Sequence, residues 1–171
     1  MFSLCLEAAV IGAFLLSAAL AGEPTSYVSS TGAVVGTVSL PVAPDKVLTF
    51  VSDPIAANRV AGGSTRVTLV ERQGACMVLD YLSPSVIADV RYRVRQCPVE
   101  GGFESNLIES DSFSQYHAHY TLTPEGSGTL LRYEVSMTVT LWVPKSLVEQ
   151  TTKREVRKMM GSLLEHFTGG S

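Results

Sequence analysis

The stretch that decides the fold is LLRYEVSMTVTL, residues 130–141. Apolar side chains occupy every second position from Leu131 to Leu141, and polar ones lie between them, which is the period of a strand with one buried face. After Pro144 the period changes to that of an amphipathic helix, which continues to Phe167. This helix offers an apolar partner for the strand, and its predicted inward residues are Val148, Thr152, Val156, Met159, Met160, Leu163, Leu164 and Phe167.

The chain before this stretch reads as strands interrupted by two short helices. A first strand over Gly36–Leu40 is followed by a helix from Pro44, because a proline and an acidic residue favour the first turn. A second short helix covers Ile55–Val60. Turn-forming residues then separate six predicted strands, which are Thr65–Arg72, Ala75–Leu82, Val86–Gln96, Phe103–Ser110, Phe113–Thr123 and Thr129–Leu141. The order predicts an α+β domain with a seven-stranded antiparallel sheet.

Length and charge limit the classes of function. The chain has 171 residues, which is the size of one domain with one core. Residues 34–168 hold all the predicted elements, and residues 22–33, rich in Ser, Thr and Gly, are expected to form a flexible lead. The net charge is -3 and the basic residues are scattered. Nucleic-acid binders concentrate positive charge on one surface, so nucleic acid is excluded as a partner, while the oligomeric state stays open.

The N-terminus, residues 1–21, predicts a signal peptide. An apolar run over Ala8–Leu20 ends in a small-x-small sequence that closes at Ala21, which suits cleavage by signal peptidase. No Lys or Arg precedes Lys46, so the usual positive n-region is missing and an uncleaved membrane anchor is the alternative. The run is shorter than the ~20 residues of a spanning helix, which favours cleavage. We therefore expect export to the periplasm or out of the cell, or else attachment to a membrane by the N-terminus.

Cysteine usage is compatible with export. Cys5 would be removed with the signal peptide, and Cys76 and Cys97 would remain as an even pair. In an oxidising compartment this pair can form a disulfide. The alternative is two buried thiols, and the sequence leaves both open.

Three stretches carry a resemblance to a known family. They are VSLPVAPDKV at residues 38–47, YTLTP at residues 120–124, and GTLLRY at residues 128–133. With the strand-to-helix junction that follows, they resemble the START-like superfamily, also called SRPBCC, which includes polyketide cyclases, coenzyme Q-binding proteins and birch pollen allergen-like domains. The resemblance implies a helix-grip fold, in which a curved antiparallel sheet wraps a long C-terminal helix and two short helices follow the first strand. It also implies a cavity for an apolar or amphipathic molecule between sheet and helix.

The ligand of such a cavity is expected to be a hydrophobic small molecule, for example a lipid, a quinone or an aromatic compound. Gly161 lies inside the long helix, where glycine costs about 1 kcal/mol, and this predicts that the helix leaves room for a ligand or approaches the sheet closely. The expected lining combines tyrosines and methionines with one acid, namely Met77, Asp80, Tyr81, Tyr92, Tyr116, Tyr120, Tyr133, Met137, Met160 and Leu164.

Two classes of function fit this expectation. The first is a non-enzymatic carrier or sensor of the hydrophobic molecule, and the alternative is a cyclase- or hydrolase-like enzyme in the same cavity. Asp80 bears on the choice, because it lies among apolar neighbours on a strand. If its face lines the cavity, desolvation would raise its pKa and suit it to act as a general base. If it faces water, it is an ordinary surface acid. The sequence holds no catalytic motif or cofactor-binding loop, so no catalytic residue and no cofactor are predicted.

Two sets of polar residues on strands are weaker candidates. His117 and His119 share a strand face at a spacing that suits a divalent metal, but their neighbours make the better inward set, so we expect solvent-facing histidines and no metal. Arg91, Arg93 and Arg95 form a stripe on one strand. This stripe either contacts anionic head groups at a membrane surface or pairs with acidic neighbours on a solvated face.

Overall fold

The structure is a computed structural model that describes residues 22–84, 89–140 and 142–169. The predicted signal peptide lies outside these ranges, as do residue 85 of a predicted turn and residues 86–88 and 141 of the predicted strands. The elements are β1 (Thr25–Val28), β2 (Val34–Leu40), α1 (Pro44–Val51), α2 (Pro54–Val60), β3 (Arg66–Gln73), β4 (Cys76–Ser83), β5 (Val90–Val99), β6 (Gly102–Ser110), β7 (Phe113–Glu125), β8 (Gly128–Val139) and α3 (Lys145–Thr168).

The strands form one antiparallel sheet in the order β1-β2-β8-β7-β6-β5-β4-β3. The α+β class and the helix-grip arrangement are confirmed, with a sheet of eight strands instead of the predicted seven. The added strand is β1, which lies in the segment expected to be a flexible lead. It pairs with β2 from Thr25 opposite Thr37 to Val28 opposite Val34, and the hydroxyls of Thr25 and Thr37 are 2.7 Å apart.

The two short helices form where the sequence places helix-start residues. Both α1 and α2 begin at a proline, whose fixed φ suits the first turn and whose missing N–H would have had no partner there. Asp53 caps α2, and its Oδ1 accepts hydrogen bonds from the backbone nitrogens of Ile55 and Ala56 at 3.1 and 3.0 Å. The helix α2 packs beside β3, whereas α1 contacts β7 and β8.

The main core lies between α3 and the half of the sheet that begins at β1. The helix packs chiefly on β1 and β2, and its buried residues are Val156, Met160 and Leu163. A smaller cluster of Val67, Met77, Leu79 and Val94 covers the other half of the sheet. Because α3 rests on one half only, space remains between the helix and the strands of the other half.

Gly36 sets how closely α3 approaches β2. A Cβ atom at this position would overlap Cγ1 of Val156 and lie 3.2 Å from Cγ of Met160. Glycine inside a strand often marks such a close approach of another element. The expectation that Gly161 is the close contact, or leaves room for a ligand, is wrong: its Cβ would meet only Cγ of Pro24 at 3.8 Å, which is ordinary contact distance.

A disulfide joins Cys76 and Cys97, whose Cα atoms are 4.2 Å apart. The bond links the start of β4 to β5, next to the pair of Met77 with Gln96 in the register. Of the two alternatives for these cysteines, the structure has the disulfide. It holds together two strands near the β3 edge of the sheet.

The glycines at positions 36 and 161 should respond to alanine in opposite directions. Gly36→Ala should lower the free energy of unfolding by about 1–3 kcal/mol, because the new methyl group must displace the branched side chain of Val156 from a packed interface. Gly161→Ala should raise it by up to about 1 kcal/mol, because the site is helical and has room. Urea unfolding of both variants measures this. Equal effects of the two variants would contradict the assigned helix contact.

Candidate functional site

A cavity of about 260 Å³ lies between the inner face of the sheet and helices α2 and α3. Its volume lies just below the usual range for small-molecule sites, roughly 300–1,000 Å³. The sheet contributes residues from β4 to β8, and α3 contributes the opposite wall. The lining from the helices and the loop after α2 is Val51, Pro54, Ala57, Asn58, Ala61, Thr65, Thr152, Glu155, Val156, Met159 and Leu163.

A row of four residues, two of them small, crosses the sheet and lines this space. Gln96, Ser105, Ala118 and Val135 are directly opposed in register across β5, β6, β7 and β8, so they form one row on the inner face. Directly paired residues of an antiparallel sheet lie side by side on the same face. Ser105 and Ala118 have short side chains, and both line the cavity together with residues of α3.

Tyrosines flank this row on both sides. Tyr81 and Tyr92 stack at a centroid distance of 4.9 Å, and Tyr92 and Tyr116 are 5.2 Å apart. On the other side Tyr120 and Tyr133 are 4.5 Å apart, and the hydroxyl of Tyr120 donates a hydrogen bond to Sδ of Met159 on α3 at 3.5 Å. The cavity therefore has flat aromatic walls that hold one another in place.

The hydroxyls of these tyrosines remain protonated. Burial raises the pKa of Tyr81, Tyr92, Tyr116, Tyr120 and Tyr133 above the ordinary value for tyrosine, because the phenolate would lose its hydration. The hydroxyls of Tyr116 and Tyr133 are 3.4 Å apart. A neutral phenol can donate or accept a hydrogen bond, so these groups add polar points to apolar walls.

Two further features complete the cavity. Thr65 lies in its wall, and it is fixed there because Nδ2 of Asn58 donates to its carbonyl at 2.7 Å and its hydroxyl is 2.7 Å from that of Ser83. Glu155 on α3 is the most exposed lining residue, with a side chain 56% accessible, so the cavity opens to solvent beside it. Its Oε1 is 3.3 Å from Nε of Arg154.

Six of the ten residues expected in the cavity lie on its wall: Tyr81, Tyr92, Tyr116, Tyr120, Tyr133 and Met137. Three others are packed elsewhere. Met77 belongs to the smaller cluster, Met160 is fully buried against Gly36, and Leu164 packs against the main core. Sequence reasoning missed Gln96, Ser105 and Ala118, although their opposed positions on neighbouring predicted strands were a signal that could have revealed them.

Asp80, the tenth residue, faces away from the cavity. Its carboxylate accepts two hydrogen bonds from Arg93, from Nε to Oδ1 at 2.6 Å and from Nη2 to Oδ2 at 3.0 Å. Nη1 of Arg93 also lies 3.0 Å from Oε1 of Glu109. The hydrogen bond from Arg93 lowers the pKa of Asp80. Of the two alternatives for this residue the structure therefore has the surface acid, and its predicted place in the cavity lining is wrong. Arg93 of the arginine stripe thus pairs with acidic neighbours on the outer face.

His117 and His119 also lie on the outer face, opposite the inward row of β7. Nε2 of His117 is 3.0 Å from Oε1 of Glu104, and this contact helps to lower the pKa of Glu104, after the hydrogen bond from Asn106. Within residues 22–84, 89–140 and 142–169, no group of three His, Cys, Asp or Glu side chains is arranged to hold a metal ion. In the same ranges no helix is long and apolar enough to cross a membrane.

Comparison with known proteins agrees with this architecture. Residues 31–168 match the model of the family described as polyketide cyclase / dehydrase and lipid transport. The chain belongs to this family. No curated protein matches it.

Three solved structures with the same fold come from proteins of different kinds. A START superfamily protein from Mycobacterium smegmatis has a TM-score of 0.70 at 16% identity, with 81% of this chain and 99% of that chain covered. The Zhui aromatase/cyclase from Streptomyces sp. R1128 has a TM-score of 0.69 at 11% identity, with 80% of this chain and 93% of that chain covered. A STAR-related lipid transfer protein from Xanthomonas axonopodis has a TM-score of 0.60 at 14% identity, with 86% of this chain and 99% of that chain covered. At these identities the likeness concerns the fold alone.

The tyrosine cluster should be visible in an alkaline titration. At about pH 11, one unit above the ordinary tyrosine pKa, the folded protein should give a much smaller tyrosinate absorbance than the same chain unfolded in urea. Because folding raises the pKa values of these tyrosines, the stability that their burial contributes is fully present below about pH 10. It is lost as the pH rises further, since the unfolded chain then ionises more readily than the folded one. Equal absorbance of the folded and unfolded protein at this pH would contradict a buried cluster.

Proposed function

We propose that this protein is an exported carrier or sensor that binds a hydrophobic small molecule in the cavity between the sheet and α3. The observation that carries the proposal is the pair of small residues Ser105 and Ala118 between two groups of tyrosines. A fold that only needed a solid core would fill the space over Ser105 and Ala118 with larger side chains. Membership of a family described by cyclases and lipid transport supports a ligand in this place.

A cyclase- or hydrolase-like enzyme is the second candidate. The family description and the adjacent hydroxyls of Tyr116 and Tyr133 support it, since phenols can polarise a carbonyl group. A general base is also needed, and the described lining supplies only Glu155, which is exposed and next to Arg154. The raised pKa of each cavity tyrosine keeps it in the acid form. These properties favour binding over catalysis.

The binding function is tested by filling the cavity. Protein purified from its own host should carry a bound small molecule in native mass spectrometry. The Ala118→Leu variant should carry much less of the bound molecule, because the larger side chain fills the cavity. Its melting temperature should stay equal or rise, because the added methyl groups enter existing space. Ser136→Leu, at an exposed position of β8, is the control and should keep the ligand. A wild-type protein without any bound molecule would contradict the proposal.

Export is supported by two independent features. The apolar run of residues 8–20 and the site at Ala21 suit a signal peptide, and the disulfide of Cys76 with Cys97 suits an oxidising compartment. Together they favour the periplasm or the outside of the cell as the place of function. An uncleaved signal would instead hold the cavity at a membrane surface.

N-terminal sequencing and thiol counting test export. The mature protein should begin at or near Gly22, occur in a soluble extracytoplasmic fraction, and have no free thiol at Cys76 or Cys97. Leu16→Arg, which interrupts the apolar run, should leave the chain in the cytosol with reduced cysteines. Intact wild-type protein in the cytosol would contradict export, and intact protein on membranes would establish the anchor.

A further inference from the structure

The floor of the cavity, which is the side formed by the sheet, holds a buried pair of polar residues. Binding of a purely apolar ligand would not require this pair. Gln96 and Ser105 are 5% and 7% exposed, and both line the cavity at its centre. They are opposed on β5 and β6, and Oγ of Ser105 donates a hydrogen bond to Oε1 of Gln96 at 3.3 Å. Polar side chains at a core position cost free energy unless their hydrogen bonds are made, so their presence calls for a partner.

The amide nitrogen of Gln96 is the group left to bind that partner. Ser105 occupies the amide oxygen, and none of the residues that the structure describes accepts a hydrogen bond from Nε2. Within the described ranges, every fully buried side-chain nitrogen has a hydrogen-bond partner. Because Nε2 of Gln96 has none there, it is not fully buried, and the side chain that carries it lines the cavity. A primary amide offers two N–H donors, so it is suited to an oxygen acceptor of a ligand.

The charges of the cavity restrict that acceptor to a neutral group. No Lys, Arg or His occurs among the described lining residues, and the one acidic side chain there is that of Glu155 at the opening. A carboxylate or phosphate at the floor would be desolvated without a counter-ion. A carbonyl oxygen meets the donor without this cost.

The shape of the cavity restricts the rest of the ligand. A volume of about 260 Å³ suits a compact molecule, and stacked walls such as the pair of Tyr81 and Tyr92 suit flat rings. We propose that Gln96, oriented by the hydrogen bond from Ser105, is the specificity-determining residue of the cavity. This inference rests on the proposed binding function and adds the class of ligand to it. Gln96 binds the carbonyl oxygen of a neutral, compact ring ketone, whereas anionic lipids are rejected.

A pair of probes that differ by one oxygen tests this proposal. Tetralone is a neutral two-ring ketone, tetralin is the same ring system without the carbonyl, and naphthoate is an anionic analogue. Binding of each to the purified full chain is measured by calorimetry. The ratio of tetralone to tetralin affinity should fall by about tenfold in Gln96→Leu and be unchanged in Gln73→Leu, whose glutamine is exposed at the end of β3. Naphthoate should bind at least tenfold more weakly than tetralone.

A second measurement does not depend on a variant that folds. In NMR spectra of the wild-type protein, the side-chain amide protons of Gln96 should shift on addition of tetralone and not on addition of tetralin. Ser105→Ala, which removes the hydroxyl that orients the amide, should lower the affinity ratio by a smaller factor than Gln96→Leu. Thermal melts identify any variant that fails to fold, and the NMR result then decides.

The outcomes separate this inference from the proposed function. If tetralone and tetralin both bind and the ratio is unchanged in folded Gln96→Leu, or if the Gln96 amide protons do not respond to tetralone, the specificity role is overturned while the binding function stands. Naphthoate binding as tight as that of tetralone overturns the selection for neutral ligands. If no probe binds, the inference is overturned; if the host-purified protein also carries no molecule, the proposed function fails with it.

Discussion

The contact of α3 with β2 at Gly36 is the constraint on which the rest of the structure depends. The missing side chain brings Val156 and Met160 against the strand backbone, so the helix sits low on one half of the sheet. The packing of the helix is concentrated on β1 and β2, away from β4 and β5 near the other end of the strand order. The same contact that closes the core on one side therefore leaves an open volume on the other, and the tyrosines stand at that transition.

The cavity stays open because its tyrosine walls are rigid and the side chains on its sheet side are short. Tyrosines have few rotatable bonds, and the contacts among Tyr81, Tyr92 and Tyr116 leave their rings little freedom to collapse inward. Ser105 and Ala118 cannot fill the gap from below. The arrangement has a chemical consequence as well as a steric one. Neutral phenols and a neutral amide surround a site without a positive charge, which selects ligands by hydrogen bonds instead of ion pairs.

Periodicity in the sequence was enough to predict the sheet, the order of the elements and the long helix, because alternation and helical spacing are local properties. It missed β1, whose four residues gain order only by pairing with β2. It counted Asp80 in the cavity lining although it left a solvent-facing position open; Asp80 alternates with the inward Tyr81 along β4 and pairs with Arg93 on the outer face. The tyrosines could be predicted from strand parity, whereas the void between them depends on register across four strands, which no single segment encodes.

The half of the sheet that carries the polar floor lacks the helix as a support, and it is held by other means. On its outer face Arg93 links Asp80 on β4 to Glu109 on β6, but these side chains are partly exposed and such pairs contribute little. The disulfide of Cys76 with Cys97 is the stronger restraint, because it limits the unfolded chain as well as the strand pairing. Cys97 is adjacent to Gln96 in the chain. The disulfide therefore restrains the strand that presents the amide of Gln96.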